Sequence, residues 1–423
     1  MATGALEDIS AELKTQYPPG SRMFEEPVNM VAPYREKLAK VELLANEGGT
    51  LSVPLGIARA WNVGSIGDNA AFPTAKDPTR VQGAVAPELF VGAFQIGVKT
   101  RAMAKTQKST FNMGGILADR LDGCLADLGK YMNQVYAGSN RGRLATVESE
   151  TANAFVAAKP MGALLLNEGL RIAGYDALTG GAIRTDNTDR TITAVDKTTG
   201  AVTYDGTDIA ALAAGDHIFV QNSYGRTHWS LRDIVDDGTE CESPFGKSRT
   251  TYPKLKAFVE YGDAGLRDLS EQIILDAITH VTRETGKKIT RALSNDGQAR
   301  KYVEFIQPER RYPGPTGSAP KYTVGYDEDS LQIIAPGVNC KLECDFDVVP
   351  RSIFFLAWDT FGRYEGMPLD WIDEGELLRL IPGSATYSAG FLAYVGAIEN
   401  QVCTVLRANS RLTYLKDPLC GDA

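Results

Sequence analysis

Two strand-like apolar runs flank a long stretch with no helical period near the start of the chain. The first is Thr50-Leu51-Ser52-Val53-Pro54-Leu55. The second runs from Glu88 to Val98, with apolar side chains at Phe90, Phe94, Ile96 and Val98. Between them lie Gly, Ala, Asn, Asp, Pro and Thr. Loops longer than about 12–15 residues are uncommon inside compact domains and are usually functional or disordered. A two-stranded arm alone is marginal, because a third strand or a packing surface is needed. The pattern therefore predicts an extended hairpin over Thr50–Lys99 that finds its burial partner on another molecule. That points to assembly rather than catalysis, with Trp61, Phe72, Phe90, Phe94 and Ile96 as candidate subunit-interface residues.

The strongest helical period follows, over about Ser109 to Ala137. Leu117, Leu121, Cys124, Leu125, Leu128, Met132 and Val135 make one stripe. Ser109 is a plausible N-cap and Gly138 a stop. Such a helix is roughly 40 Å long. Gly114, Gly115, Gly123 and Gly129 interrupt it at about 1 kcal/mol each, a cost tolerated where neighbours pack closely. Before the hairpin, Leu6, Ile9 and Leu13 suggest a short amphipathic helix ended by Pro18-Pro19-Gly20. A second helix is expected over Tyr34 to Ala45.

From Arg143 to Val220 the period changes to two. Thr191–Val195 and Ala201–Tyr204 flank the turn Asp196-Lys197-Thr198-Thr199-Gly200, and Gly215–Val220 supplies a later strand. A small all-β barrel or sandwich of about seventy residues fits this spacing. A connector, Ser223 to Gly262, leads to a helix over Leu269–Thr285. Asp268 and Glu271 stand at capping-box spacing and Gly286 closes it. Further strands are expected at Tyr302–Ile306, Leu331–Ile334, Val338–Leu342, Ile353–Leu356, Leu377–Ile381 and Cys403–Leu406. Segregated helices and strands argue for an α+β class.

The chain has 423 residues, 43% hydrophobic and 23% charged, which suits an ordinary globular protein of two or three domains. Its net charge of −9 excludes whole-chain nucleic-acid binding, which demands clustered cations. No apolar run reaches eighteen residues, so no transmembrane helix is expected, and Met1–Glu12 has no signal-peptide pattern. Six scattered cysteines suggest a reducing, intracellular setting. Cys340 and Cys344 read as same-face side chains of one strand rather than half a metal site.

Catalytic patterns are absent. There is no nucleophile elbow, Walker loop, His-Glu-x-x-His or Cys-x-x-Cys. Only His217, His228 and His280 exist. His217 reads as a surface or interface residue and His280 as a packing residue. Asp345 and Asp347 could form an acid–base pair, but a solvated strand edge is the better reading. Asn140-Arg141-Gly142-Arg143 and Arg310-Arg311 read as solvated basic turns. No catalytic, cofactor-binding or metal-binding residue is assigned.

The ordered set of elements resembles the major capsid proteins of tailed bacteriophages, the Hong Kong 97-type fold, over essentially the whole chain. The echoes are Tyr136-Ala137-Gly138 through Leu144–Val147, Ile192–Asp196 through Gly200–Thr203 with Gly215-Asp216, and Ser230–Gly238. Asp347–Pro350 with Ile353–Leu356, Trp371-Ile372-Asp373 and Tyr387-Ser388-Ala389 complete them. The resemblance implies an N-terminal arm (1–46), an E-loop hairpin (47–105) and a spine helix (106–142). A β-rich insertion (143–222), a return to the peripheral domain (223–254), an axial domain (255–395) and a C-terminal segment (396–423) follow. It further implies self-assembly as hexamers and pentamers into an icosahedral shell around double-stranded DNA. The virion is then the location, with assembly in the host cytoplasm. A separate scaffolding protein, a portal and a decoration protein are implied partners, with only weak nonspecific contact to packaged DNA and no membrane. Some members cross-link a hairpin lysine to a neighbour's asparagine. Lys76, with Asn400 or Asn409, would be the candidates here. An encapsulin-like cargo shell is the runner-up reading, and a hydrolase using Asp345 and Asp347 ranks last.

Overall fold

The computed structural model describes residues 22–45, 49–58, 62–66, 68, 71–97, 113–184, 190–206, 209, 212–226, 228–262, 265–306, 332–335, 338–372, 379–381 and 390–422. In chain order, α1 (Arg22–Val31) and α2 (Pro33–Lys37) lead into β1 (Lys40–Val41), β2 (Leu44–Ala45), β3 (Leu51–Ala58), β4 (Thr79–Val85) and β5 (Glu88–Gly97). The long helix α3 (Met113–Asn133) continues as a π-helical turn, Gln134–Gly138. Then come β6 (Ala145–Thr151), β7 (Ala154–Ala157), β8 (Arg171–Tyr175), β9 (Arg190–Val195), β10 (Ala201–Tyr204) and β11 (His217–Val220). The one-turn α4 (Leu231–Ile234) and β12 (Phe258–Glu260) precede α5 (Glu271–Thr285), β13 (Arg291–Ser294) and α6 (Asp296–Ile306). The chain closes with β14 (Gln332–Ala335), β15 (Val338–Cys344), β16 (Ile353–Leu356), β17 (Phe361–Trp371), β18 (Arg379–Ile381), β19 (Gly390–Cys403) and β20 (Ser410–Leu412). The protein mixes helix and sheet in segregated stretches, as the α+β expectation states.

The chain divides into two units, each assembled from separated segments. The first contains Met1–Glu42, Ala86–Asn133 and Arg363–Asn400. Its sheet runs β1-β17-β19-β18, with β5 antiparallel to β19 from Glu88↔Glu399 to Gly97↔Gly390. Leu121, Leu125, Leu128 and Met132 of α3 are buried. The Phe90 ring meets Tyr131 edge-on, with centroids 5.9 Å apart. Helix α1 crosses α3 at Gly129, where an added Cβ would stand 2.8 Å from the Val28 backbone. That close approach explains a glycine kept in mid-helix despite its propensity cost. Arg35 fastens α2 to the sheet. Its Nε and Nη2 donate to the Glu399 carboxylate at 2.7 and 2.9 Å, and Arg363 Nη1 adds a contact at 3.2 Å. All three side chains are buried.

The second unit contains Leu43–Val85, Gln134–Gly362 and Gln401–Ala423. The β-rich stretch is a closed six-stranded barrel, β10-β7-β6-β11-β8-β9. It is filled by Leu144, Val147, Phe155, Leu165, Ile192, Val202 and their neighbours. The turn after Asp196 is held by its carboxylate, which accepts from Thr198 N, Thr199 N and Thr199 Oγ1. A six-stranded mixed sheet, β12-β20-β16-β13-β15-β14, packs α5 through Ile274, Ala277, Ile278 and Val281. Gly286, at φ 65°, caps α5.

Several expected elements differ. The helix over Tyr34–Ala45 stops at Lys37, and β1 and β2 follow. Tyr302–Ile306 lies in α6 rather than a strand, with Tyr302 buried and Lys301 and Glu304 paired at helical spacing. Ser270, not Asp268, stands at the N-cap position of α5, without a side-chain capping bond. The Leu6–Leu13 helix, Ser109 and Arg310-Arg311 lie outside the described residues.

Among the described residues, Glu399 is shared by two buried guanidinium groups, those of Arg35 and Arg363. Breaking a buried pair from one side costs about 3–5 kcal/mol. Glu399→Gln is therefore expected to destabilise the first unit by about that much in urea unfolding, and by more than Arg35→Met does. A loss below about 1 kcal/mol, the size of a surface pair, would contradict this.

Candidate assembly surface

The early hairpin exists, but its second strand is β4 rather than β5. Leu51 pairs with Val85, Val53 with Gly83 and Leu55 with Val81. Leu51, Val53, Leu55 and Val85 are buried, so the root has a sound apolar face. Gly83 lies so close to Phe245 that an added Cβ would sit 2.8 Å from the Phe245 Cβ. Gly56 N donates to Thr404 O at 3.1 Å.

Beyond Ala58 the picture reverses. Val63–Ile66, Asp68 and Ala71–Arg80 are all exposed. Phe72 keeps 85% of its surface open and Val63 79%, and Ile66 is also exposed. Asn62 Nδ2 donates to Lys76 O at 2.6 Å, tying the two limbs of the tip together. The hairpin thus joins a fastened root to an uncovered apolar end.

The root is positioned by a buried polar cluster. Ser230 and Asp233 form a reciprocal capping box at the start of α4. Asp236 Oδ2 accepts from Gly238 N, Glu240 N and Cys241 N at 2.9–3.0 Å. Arg249, wholly buried, donates to Ile234 O at 2.8 Å, Asp233 O at 3.1 Å and Leu255 O at 3.2 Å, and also to Cys241 O. Arg411 reaches Asp236 at 3.4 Å and Glu240 at 3.5 Å, and Arg232 clamps Glu240 from the other side. This web presents the turn Pro244–Gly246, in which Phe245 packs on Trp229 with ring centroids 5.0 Å apart. Phe245 in turn bears the hairpin at Gly83.

Burial would raise the Glu240 carboxyl, but Arg232 and Arg411 overcome it and hold it at about 2. Asp233 moves the opposite way, raised by burial. Burial pushes His217 and His228 down to about 4, with help from Arg143 and Arg226 respectively. Both imidazoles are therefore neutral at neutral pH. Arg143 is lowered to about 10 by burial and by Arg232.

The expected site residues separate. Phe72 is fully presented. Phe90 and Phe94 are 2% and 7% exposed, against Tyr131 and Trp371, so a single chain buries them without a neighbour. The expectation that they lie open in an isolated chain is corrected, because β5 joins the sheet of the first unit. The exposed face of β5 carries Leu89 and Val91 instead. Trp61 and the Ile96 side chain lie outside the described residues. Val63 and Ile66 were not singled out from sequence, since they stand isolated among Gly, Ser and Asp without a period.

Other candidates change character. Asp345 and Asp347 are buried rather than a solvated edge, and Asp345 Oδ1 accepts from Asp347 N at 2.9 Å to close a turn. Arg141 and Arg143 are not a solvated turn. Arg141 N donates to Asp233 at 3.0 Å and its guanidinium lies near Cys241 Sγ. Asn400 and Asn409 are wholly buried in the single chain and engaged, Asn400 with Ala86 O and Asn409 with Ala357 N. His280 is exposed and stacks on Phe258. Cys340 is buried and Cys344 half-buried, and all six cysteines are free. Among the described residues, no three His, Cys, Asp or Glu side chains are grouped to hold a metal ion. No helix among them is long and apolar enough to cross a membrane.

No family model matches the chain, and no curated protein does. Solved structures similar to it include the capsid asymmetric unit of cyanophage A-1(L), at 12% identity and TM-score 0.47, covering 91% of this chain and 93% of that one. The capsid of an empty GTA particle matches at 10% identity and TM-score 0.42, covering 91% and 90%. A virus-like particle from Pyrococcus furiosus matches at 8% identity and TM-score 0.37, covering 92% and 96%.

Because Glu240 titrates below its ordinary range, its contribution to stability is complete above about pH 4.5 and is lost as pH falls toward 2. Replacing it by Gln should flatten the acid limb of a stability–pH profile over that window. An unchanged acid limb would show that the Arg232–Glu240–Arg411 contacts do not stabilise the fold.

Proposed function

We propose that this chain is a shell-forming structural protein, the major capsid protein of a tailed bacteriophage. The observation that carries the reading is the hairpin. Its root is built into a folded unit, while its tip offers Phe72, Val63 and Ile66 to solvent. A monomer gains nothing from this arrangement, whereas a neighbouring copy would bury the tip. At about 25 cal/mol per Å² of apolar surface, repeated around a closed shell, such contacts add up. The order of arm, hairpin, long helix, barrel and mixed sheet supports the same reading.

On this reading β3, β4 and the tip between them are the E-loop, α3 is the spine helix and the barrel is the insertion. The Hong Kong 97-type division runs as arm 1–46, E-loop 47–105, spine helix 106–142, insertion 143–222, peripheral return 223–254, axial domain 255–395 and C-terminal segment 396–423. Five- and six-fold clusters of the chain would form the shell, in the virion, after assembly in the host cytoplasm. Scaffolding, portal and decoration proteins would be its partners, and packaged DNA would touch it only weakly. The chain does no chemistry in this role. The buried, turn-closing Asp345 and Asp347 suit a framework better than a hydrolase.

Negative-stain electron microscopy of the purified full chain should show closed shells. The Phe72→Ser, Val63→Ser double variant should keep a wild-type melting curve, within the roughly 0.5 kcal/mol expected of exposed substitutions, yet lose shell formation. Normal shells from that variant would overturn the proposed role of the tip. A wild-type chain that stays monomeric under all assembly conditions would overturn the reading itself.

A further inference from the structure

A cavity of about 400 Å³ opens in the second unit, lined from the turn Pro253–Leu255, β12, α5 and the turn Leu406–Ala408. Three permanent cations line it: Lys254, Lys256 and Arg407. In a chain of net charge −9, such a gathering is not the average surface. Arg407 is distinctive. Its Nε–H is buried without an acceptor, and no described residue forms an ion pair with it. Arg249 and Arg411, in the same unit, reach carboxylates or carbonyls with their terminal nitrogens, although the Arg411 Nε is also buried without an acceptor. A buried donor left without an acceptor carries the full cost of its desolvation. A ligand that supplies an oxygen there removes that cost.

Two carboxylates also line the cavity. Asp237 is already occupied, accepting from Thr239 and from Tyr261 Oη at 2.9 Å. With Glu284 that makes two carboxylates against three cations, which leaves the lining with one net positive charge. On the α5 side stands a ring pair. The His280 imidazole stacks on Phe258 with centroids 4.1 Å apart and planes 21° from parallel. His280 itself is exposed, which leaves its ring available to a further planar partner.

We infer that this cavity binds the phosphoryl group of a nucleotide. Phosphate offers three oxygens and at least one full charge, enough to serve a guanidinium and two ammonium groups together. A phosphate monoester carries up to two charges on three terminal oxygens, against one charge on two oxygens for a carboxylate, and so answers the three cations more fully. Stacking on a ring tolerates any base, because every base has a π-face. The volume lies in the range of small-molecule sites. The phosphate can arrive as a free nucleotide or as part of a strand, and the site chemistry is the same for both. This inference is independent of the shell reading.

Isothermal titration calorimetry on the purified full chain provides the test, with four probes: inorganic phosphate, thymidine monophosphate, a short single-stranded oligonucleotide and succinate. Phosphate and the nucleotide should bind saturably at one site per chain. Arg407→Met should weaken both at least tenfold, while Arg300→Gln, on the exposed face of α6, should change neither. His280→Ala should weaken the nucleotide but not inorganic phosphate. If Arg407→Met fails to fold, the surface pair Lys254→Met and Lys256→Met decides, with the same tenfold loss expected. Tighter binding of the oligonucleotide than of the mononucleotide identifies a strand as the source, and the reverse a free nucleotide; either supports the site. Undiminished binding in the Arg407 or double-lysine variant, equal affinity for succinate, or no saturable binding would each overturn it.

Discussion

The second unit depends on a single buried guanidinium. Arg249 has no solvent exposure and collects carbonyls from Asp233, Ile234, Cys241 and Leu255. These four residues belong to a stretch with almost no regular structure, since α4 spans only one turn. A loop cannot be buried unless its backbone groups find partners. Arginine solves this because its planar fork presents five donors in fixed directions. Lysine, with one compact ammonium, could not span the same set. The neighbouring carboxylates then hold the charge, with Asp236 within 3.4 Å of Arg249 and of Arg411. The web and the Trp229 ring together hold Phe245 in place, and Phe245 is the surface against which Gly83 rests.

The first unit uses the same device in another place. Glu399, deep on β19, is shared by Arg35 of α2 and Arg363 of β17. Apolar contacts between a helix and a sheet tolerate sliding, since one methyl resembles another. An ion pair buried in both units tolerates none, because any slip leaves a charge without its partner. Glycine does the complementary work. At Gly129 it lets α1 approach the α3 backbone, and at Gly83 it lets a strand lie on an aromatic ring. Charge sets the register in these places, and the absence of a Cβ sets the distance.

Periodicity in the sequence was informative where burial is one-sided. The α3 stripe, the barrel strands, Ile353–Leu356 and the Gly286 cap were all legible, because each has a regular apolar face or a glycine with positive φ. The partner strand of the hairpin was not. Thr79–Val85 mixes three polar with three apolar residues, and Gly83 supplies no apolar signal on its buried side. Strand β17 was hidden by Arg363 and Glu365, whose partners Glu399 and Lys40 lie far off in the sequence. Arg141 and Arg143 looked solvated for the same reason, as a lone charge in a sequence carries no sign of its distant counterpart. Tyr302–Ile306 is a short apolar run, and such runs fit strand and helix alike. Of the site, Phe72 was legible as an aromatic with no period around it. The burial of Phe90 and Phe94 depends on a pairing with β19 some three hundred residues away, which no local pattern reveals.

Charge bears on the assembly reading in a way that selects which part of the chain meets a neighbour. At −9 per copy, like chains repel. At physiological ionic strength the screening length is about 8 Å, so surfaces in contact still feel the repulsion while distant ones do not. A contact element therefore works best if it carries no net charge of its own. Between Asn62 and Arg80 the charged residues are Asp68, Lys76, Asp77 and Arg80, two of each sign. The exposed tip is neutral as well as apolar, and the acidic excess lies elsewhere in the chain. Association through the tip then gains apolar burial without adding net charge to the contact, and the neutrality of the tip against the acidity of the rest of the chain answers a single electrostatic constraint.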